Sequence, residues 1–227
     1  MPQLIIALLT ALIYAFPARA ASQDDDFLAA REAFRVGDVV KLERYAKSLH
    51  GYVLEPYVAY WQLKLRLENA GTDEVQALLA RVKDSPLADR LRADWLKVLG
   101  MTQQWELLDA EYPQLVNTDA ELSCFALQSK LLTDADAALR AARAIWFSGR
   151  EQPDRCNLLF DTLAERGQLT VEDAWARIRL ALEAGNTGVA RRVAEYLPAK
   201  ERPDAGMLSR IAVNPQAYLD RKAFNLK

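Results

Sequence analysis

The feature that most constrains the fold of this chain is a helical period that recurs almost from end to end. Apolar residues return at intervals of three and four, which is the spacing of one face of an α-helix, and no convincing period of two indicates a strand. The clearest instance lies between Ser85 and Trp105, where Leu87, Leu91 and Trp95 fall on one face. The pattern predicts an all-α protein.

The stretch from Ser85 to Trp105 predicts a helical hairpin. Ser85 is expected to cap a helix with Pro86 at its first position, where the missing N–H costs no hydrogen bond. Gly100 is expected to close this helix. A second apolar stripe begins at Trp105 after a short turn, so the two helices must run antiparallel. We predict that Trp95 and Trp105 pack hairpin against hairpin rather than touch a ligand.

Capping patterns predict further helix boundaries along the chain. Thr72 is expected to cap one helix, and threonines followed three residues later by an acidic residue, at 118, 133 and 170, predict three more helix starts. Gly37 occupies the position where a left-handed residue would end the first helix. Together with the apolar stripes, these signals give about a dozen short helices.

The predicted helices are joined by brief turns without a long linker, which indicates a stacked array. The segment from Tyr57 to Leu67 is apolar around most of its helix, so more than one neighbour must cover it. We assign its aromatic residues to core packing, with a sugar-stacking site as the alternative. The prediction is one domain over residues 21–227, a right-handed α-superhelix, or solenoid, of antiparallel hairpins with a concave surface.

The N-terminus predicts export. Leu4 to Phe16 is an apolar run too short to span a bilayer, and the small-x-small sequence Ala18-Arg19-Ala20 follows it. We therefore interpret residues 1–20 as a secretory signal peptide and predict no stable membrane span. A buried first helix or a short membrane anchor is the alternative, because no Lys or Arg precedes the apolar run.

Composition excludes several classes of function. Basic and acidic residues number 29 and 31, and this balance gives no indication of a nucleic-acid partner. Cys124 and Cys156 are the only cysteines, and an exported chain meets an oxidising compartment. A single disulfide is expected, with two free buried cysteines as the alternative. His50 is the only histidine and is expected in a turn, so neither a metal site nor a cofactor is predicted.

Several segments form a recognisable series through their order and spacing. They are Pro56 to Trp61, Ser85 to Leu96, Trp105, the set Trp146, Gly149, Pro153, Cys156 and Phe160, and residues 170–197. Together they resemble the N-terminal superhelical domain of the soluble lytic murein transglycosylases, over nearly the whole mature chain. The two cysteines lie where that family can carry a disulfide.

The resemblance implies a periplasmic location and a relation to peptidoglycan. Enzymes of this family cleave the bond between N-acetylmuramic acid and N-acetylglucosamine and leave a 1,6-anhydro product without using water. Their catalytic residue is a Glu followed by Ser in a C-terminal lysozyme-like domain. No Glu is followed by Ser in this sequence, which ends at Lys227, so no catalytic residue can be transferred and the catalytic domain is expected to be absent.

The sequence therefore predicts a non-catalytic N-terminal part of a lytic transglycosylase that shapes or holds murein; whether the chain is itself an enzyme stays open. Peptidoglycan, through the missing catalytic domain, is the expected partner, with other cell-wall proteins as a further class. The alternative is a free-standing periplasmic helical-repeat scaffold that binds protein or peptidoglycan. Substrate-binding residues are not assigned.

Charge alone offers some candidate contacts for anionic peptide stems. They are Arg140, Arg143, Arg191 and Arg192. Solvation is the simpler interpretation of these four side chains, as it is for Arg90 and Arg92 on the helix after Ser85.

Overall fold

The computed structural model describes residues 22–214, together with 216–217 and 219–220. These residues form twelve α-helices and five short 3₁₀ turns, without a strand among them. The helices are α1 Gln23–Arg35, α2 Val39–Ser48, α3 Glu55–Lys64, α4 Thr72–Arg81, α5 Pro86–Met101, α6 Trp105–Glu111, α7 Ala120–Leu131, α8 Ala135–Trp146, α9 Asn157–Glu165, α10 Val171–Glu183, α11 Thr187–Val193 and α12 Ala205–Val213. The predicted all-α class is confirmed, whereas the predicted signal peptide lies outside the described residues.

The chain divides into two compact units, one ending at Arg66 and the other beginning at Leu67. In the first unit, α1 packs against α2 and α3, and it starts with a capping box between Ser22 and Asp25. The ring of Trp61 stacks on that of Phe34, with centroids 5.7 Å apart. The predicted core role of this aromatic segment is therefore confirmed for Trp61, which is buried.

The second unit is built from consecutive helices that pack on one another, including the pairs α5–α6, α7–α8 and α10–α11. Its largest fully buried side chains include Trp146, Phe125 and Phe160. One continuous core extends from α7 to α12. Short turns between successive packed helices produce the predicted hairpins, because such helices must run antiparallel.

The predicted end of α5 at Gly100 is wrong. The helix continues to Met101, and the left-handed residue of the following turn is Gln103, with φ of 58°. Gly100 lies under the ring of Phe125, and a Cβ atom at this position would come within 2.3 Å of the ring. The glycine therefore serves a close approach of α5 and α7, not a helix end.

Four of the predicted N-caps differ in the structure. Ser85 occupies the N-cap position of α5, but its hydroxyl donates to the carbonyl of Val82 and does not cap the helix. The other three are displaced by one residue. Gly71, Asp119 and Asp134 occupy the N-cap positions that were predicted for Thr72, Thr118 and Thr133. At the latter two positions the Asp carboxylate accepts the backbone N–H, so the aspartate replaces the threonine as cap. The capping box at Thr170 and Asp173 is confirmed.

Two further observations complete the fold. Gly37 has φ of 72° and follows α1, as predicted. Across the residues that the structure describes, no helix has both the length and the apolar character required to cross a membrane.

Candidate functional site

The four arginines that are candidate contacts for peptide stems lie on two helices, and two of them form ion pairs with acidic side chains. Arg143 of α8 lies 2.6 Å from a carboxylate oxygen of Asp173, and Arg192 of α11 lies 2.5 Å from Glu151. Arg140 and Arg191 are exposed. Arg143 and Arg192 are exposed as well, with 44% and 57% of their side-chain surface accessible, so all four arginines reach solvent and two of them also pair with an acid.

The two cysteines are brought together in the second unit. Cys124 lies on α7 and Cys156 ends the short turn before α9, with their Cα atoms 5.1 Å apart. This separation lies within the range that a disulfide bond spans. Both residues are fully buried in the core that extends from α7 to α12.

A cavity of about 240 Å³ opens beside α9, α10 and α11. Its apolar wall includes Phe160, Val189 and Val193, and Tyr196 lies beside them. One liquid water occupies roughly 30 Å³, so the cavity can hold several waters or the headgroup of a small organic molecule. We call it the Arg177 cavity, after the buried arginine among its lining residues.

Arg177 of α10 is the most unusual side chain of the cavity. Only 5% of its surface is exposed, and its Nε atom is buried without a hydrogen-bond partner. The guanidinium carbon lies 4.5 Å from the ring centroid of Trp146 and 4.9 Å from that of Phe160. Burial lowers the pKa of Arg177 to about 10, so the side chain stays charged at neutral pH.

The rim of the cavity is acidic. Four carboxylates belong to it: Glu151, Asp154, Asp161 and Glu195. Glu151 pairs with Arg192, and Asp161 accepts a hydrogen bond of 2.7 Å from the hydroxyl of Tyr196. Burial and this bond raise the pKa of Tyr196 well above its usual value, so the phenol remains a donor. The carboxylates of Asp154 and Glu195 make no hydrogen bond or ion pair within the described part of the chain.

The aromatic wall is held in place from α10. The indole N–H of Trp146 donates to the carbonyl of Asp173 at 3.1 Å. The carboxylate of Asp173 in turn accepts from the backbone of Thr170 at 3.0 Å and from Arg143 at 2.6 Å. Desolvation raises the pKa of Asp173, but these donors outweigh it and leave the pKa below its usual value. A fixed ring thus supports the Arg177 guanidinium.

Sequence reasoning did not single out Arg177, because a charged side chain on a helix is ordinarily interpreted as solvent-facing. Trp175 and Leu182 of the same helix are only partly buried. The face that is buried contains Ala174, Arg177, Ile178 and Ala181, which have helical spacing. A signal was available: an arginine on the same face as two alanines, where small side chains leave room for a long one.

The chain is similar to curated lytic transglycosylases along most of its length. It is 28% identical over 206 residues to the soluble lytic murein transglycosylase of Escherichia coli, which covers 89% of this chain and 32% of that protein. The corresponding protein of Salmonella typhimurium is 27% identical over 221 residues, covering 96% of this chain and 34% of the relative. No family model matches the chain.

Solved structures give the same result. The 70 kDa soluble lytic transglycosylase of Escherichia coli matches 87% of this chain and 32% of its own, with a TM-score of 0.67 and 27% identity. An inactive mutant of the lytic transglycosylase Slt from Pseudomonas aeruginosa has the same TM-score and coverage at 32% identity. The predicted family resemblance is confirmed. The match in structure also confirms the predicted superhelical fold class. The chain spans about a third of the length of the soluble lytic murein transglycosylases that it matches.

Proposed function

We propose that residues 21–227 form the non-catalytic superhelical part of a periplasmic lytic transglycosylase and that this part shapes or holds the murein substrate. The observation that carries the proposal is similarity over 89% of this chain to only 32% of a soluble lytic murein transglycosylase. The enzyme would cleave glycan strands between N-acetylmuramic acid and N-acetylglucosamine, with a 1,6-anhydro product. Residues 1–20 would direct export to the periplasm.

A role in holding murein is supported by the helical architecture and by the Arg177 cavity. Stacked hairpins offer an extended surface for a long polymer. A buried, unpaired cation beside an acidic rim is costly in a part that serves only as a spacer. The proposal therefore assigns binding, rather than bond cleavage, to this part of the enzyme.

Incubation of the purified chain with murein sacculi tests both halves of the proposal. We expect the protein to co-sediment with the sacculi and to release no 1,6-anhydromuropeptides, with the soluble lytic murein transglycosylase of Escherichia coli as the active control. Release of anhydromuropeptides would contradict the non-catalytic assignment. Protein that stays entirely in the supernatant would contradict the holding role.

The DNA sequence beyond the codon for Lys227 gives an independent test. We expect the reading frame to continue into a lysozyme-like segment that contains Glu followed by Ser. A stop codon, with stable expression at this length, would contradict the proposal and favour a free-standing periplasmic scaffold.

We also propose that Cys124 and Cys156 form a disulfide in the exported protein. Their proximity supports it, and closure of the intervening loop would stabilise the fold by roughly 3–4 kcal/mol. Non-reducing mass spectrometry should find a peptide that links the two cysteines. Two thiols that alkylate after export and denaturation would contradict the bond.

A further inference from the structure

The Arg177 cavity contains a buried cation with unused hydrogen-bond donors. Arg177 is 95% buried, since 5% of its surface is exposed, and no ion pair or hydrogen bond joins its side chain to any residue that the structure describes. Buried charges in proteins are ordinarily paired. The contacts with Trp146 and Phe160 stabilise the charge, but a ring face accepts none of the in-plane N–H donors that match a carboxylate. The site therefore lacks an acceptor.

We propose that the cavity binds a zwitterionic α-amino-acid headgroup, with its carboxylate on Arg177 and its ammonium at the rim carboxylates of Asp154 and Glu195. The planar guanidinium presents paired donors that fit a carboxylate. Asp154 and Glu195 are exposed acids on the same cavity without partners among the described residues, so they are open to an ammonium group.

Charge at the cavity excludes simpler ligands. A bare carboxylate would meet the four acids of the rim, of which Arg192 neutralises only Glu151. A bare ammonium ion would meet the buried charge of Arg177 with nothing to compensate it. A headgroup that carries both charges complements both the buried cation and the exposed acids of the lining, and this combination is the source of the expected specificity.

Diaminopimelate is a suitable probe because it carries two such headgroups, and it has two matched controls. Pimelate has the same chain and both carboxylates but no ammonium group, and cadaverine has both ammonium groups but no carboxylate. Diaminopimelate is also a component of murein stem peptides; this choice of source rests on the proposed function, whereas the headgroup chemistry rests on the cavity alone.

Isothermal titration of the purified chain with these three compounds tests the proposal. We expect saturable binding of diaminopimelate and binding at least tenfold weaker for pimelate and for cadaverine. Equal binding of cadaverine would show that the acidic rim alone is responsible, and equal binding of pimelate would show that the rim does not contribute. Either result, or no binding of diaminopimelate, would overturn the proposal.

Substitution of Arg177 tests the assigned contact. Arg177→Met should weaken diaminopimelate binding at least tenfold, and Arg177→Lys should weaken it by less, because the charge is retained and the paired donors are lost. Arg179→Gln, which removes an exposed arginine of the same helix outside the cavity lining, should bind like the parent protein. Unchanged binding by folded Arg177→Met protein would overturn the proposal.

A rim variant keeps the proposal falsifiable if the Arg177 variants do not fold. Asp154→Asn combined with Glu195→Gln changes two exposed side chains, so the fold should be retained. The double variant should lose affinity for diaminopimelate and should no longer discriminate against pimelate; an unchanged ratio between the affinities for the two compounds would overturn the proposal.

Because these titrations use no sacculi, loss of murein co-sedimentation with intact diaminopimelate binding would count against the proposed function alone.

Discussion

Helices α5 and α10 each carry an arginine that solvent hardly reaches, and the surroundings of the two differ. The side chain of Arg92 on α5 is 14% exposed and lies 3.2 Å from the carboxylate of Glu111, whose side chain is 11% exposed. Arg177 on α10 is still less exposed and faces a cavity and two aromatic rings without an acid beside it. Burial alone therefore does not reveal the role of an arginine. Arg92 has an acidic partner, whereas Arg177 has none among the described residues.

The largest expected loss of stability comes from a substitution on the apolar side of α5. Trp95 is 3% exposed, and Trp95→Ala should lower the free energy of unfolding by about 3–5 kcal/mol because the cavity left behind cannot close completely. Urea denaturation measures this difference, with Trp105→Ala as a control that should cost less because Trp105 is only partly buried. Unchanged stability with lost murein binding would make Trp95 a ligand contact instead.

The paired arginine gives the next largest effect. Arg92→Met should destabilise the chain by about 1–3 kcal/mol, since it leaves the carboxylate of Glu111 buried without its partner. The double variant Arg92→Met with Glu111→Leu should recover much of this loss, because neither charge then remains unpaired. If the single and double variants unfold at the same urea concentration, the two side chains are not coupled and the comparison with Arg177 fails.

The stability that Asp173 contributes beside the Arg177 cavity should depend on pH. Because hydrogen bonds hold the pKa of Asp173 below its usual value, its ionised form stabilises the folded chain fully above about pH 4. This contribution is lost as the pH falls further, through the lowered pKa. Asp173→Asn should therefore cost about 1–2 kcal/mol at pH 7 and less at pH 3, as measured by urea denaturation. A loss of the same size at both pH values would contradict the role of the charge.

The fold was more predictable from the sequence than the site was. Periodicity identifies the helix after Ser85 because its buried apolar side chains recur with helical spacing. The capping box at Thr170 involves residues only three positions apart, so the sequence alone indicates it. The role of Gly100 could not be predicted, because the side chain that requires a glycine there is Phe125. This residue lies far along the chain and contacts Gly100 only in the folded state. Arg177 was missed for a related reason: charge in a sequence suggests solvent, and only the packing of α8, α9 and α10 shows that this charge is enclosed.

The most direct test compares the free energies of unfolding of Arg92→Met and Arg177→Met in one urea series at neutral pH. We expect a loss of stability for Arg92→Met and an unchanged or higher stability for Arg177→Met, because methionine removes an unpaired buried charge while filling a similar space. The reverse order would contradict this expectation. Arg177 would then be a structural residue and Arg92 a dispensable one.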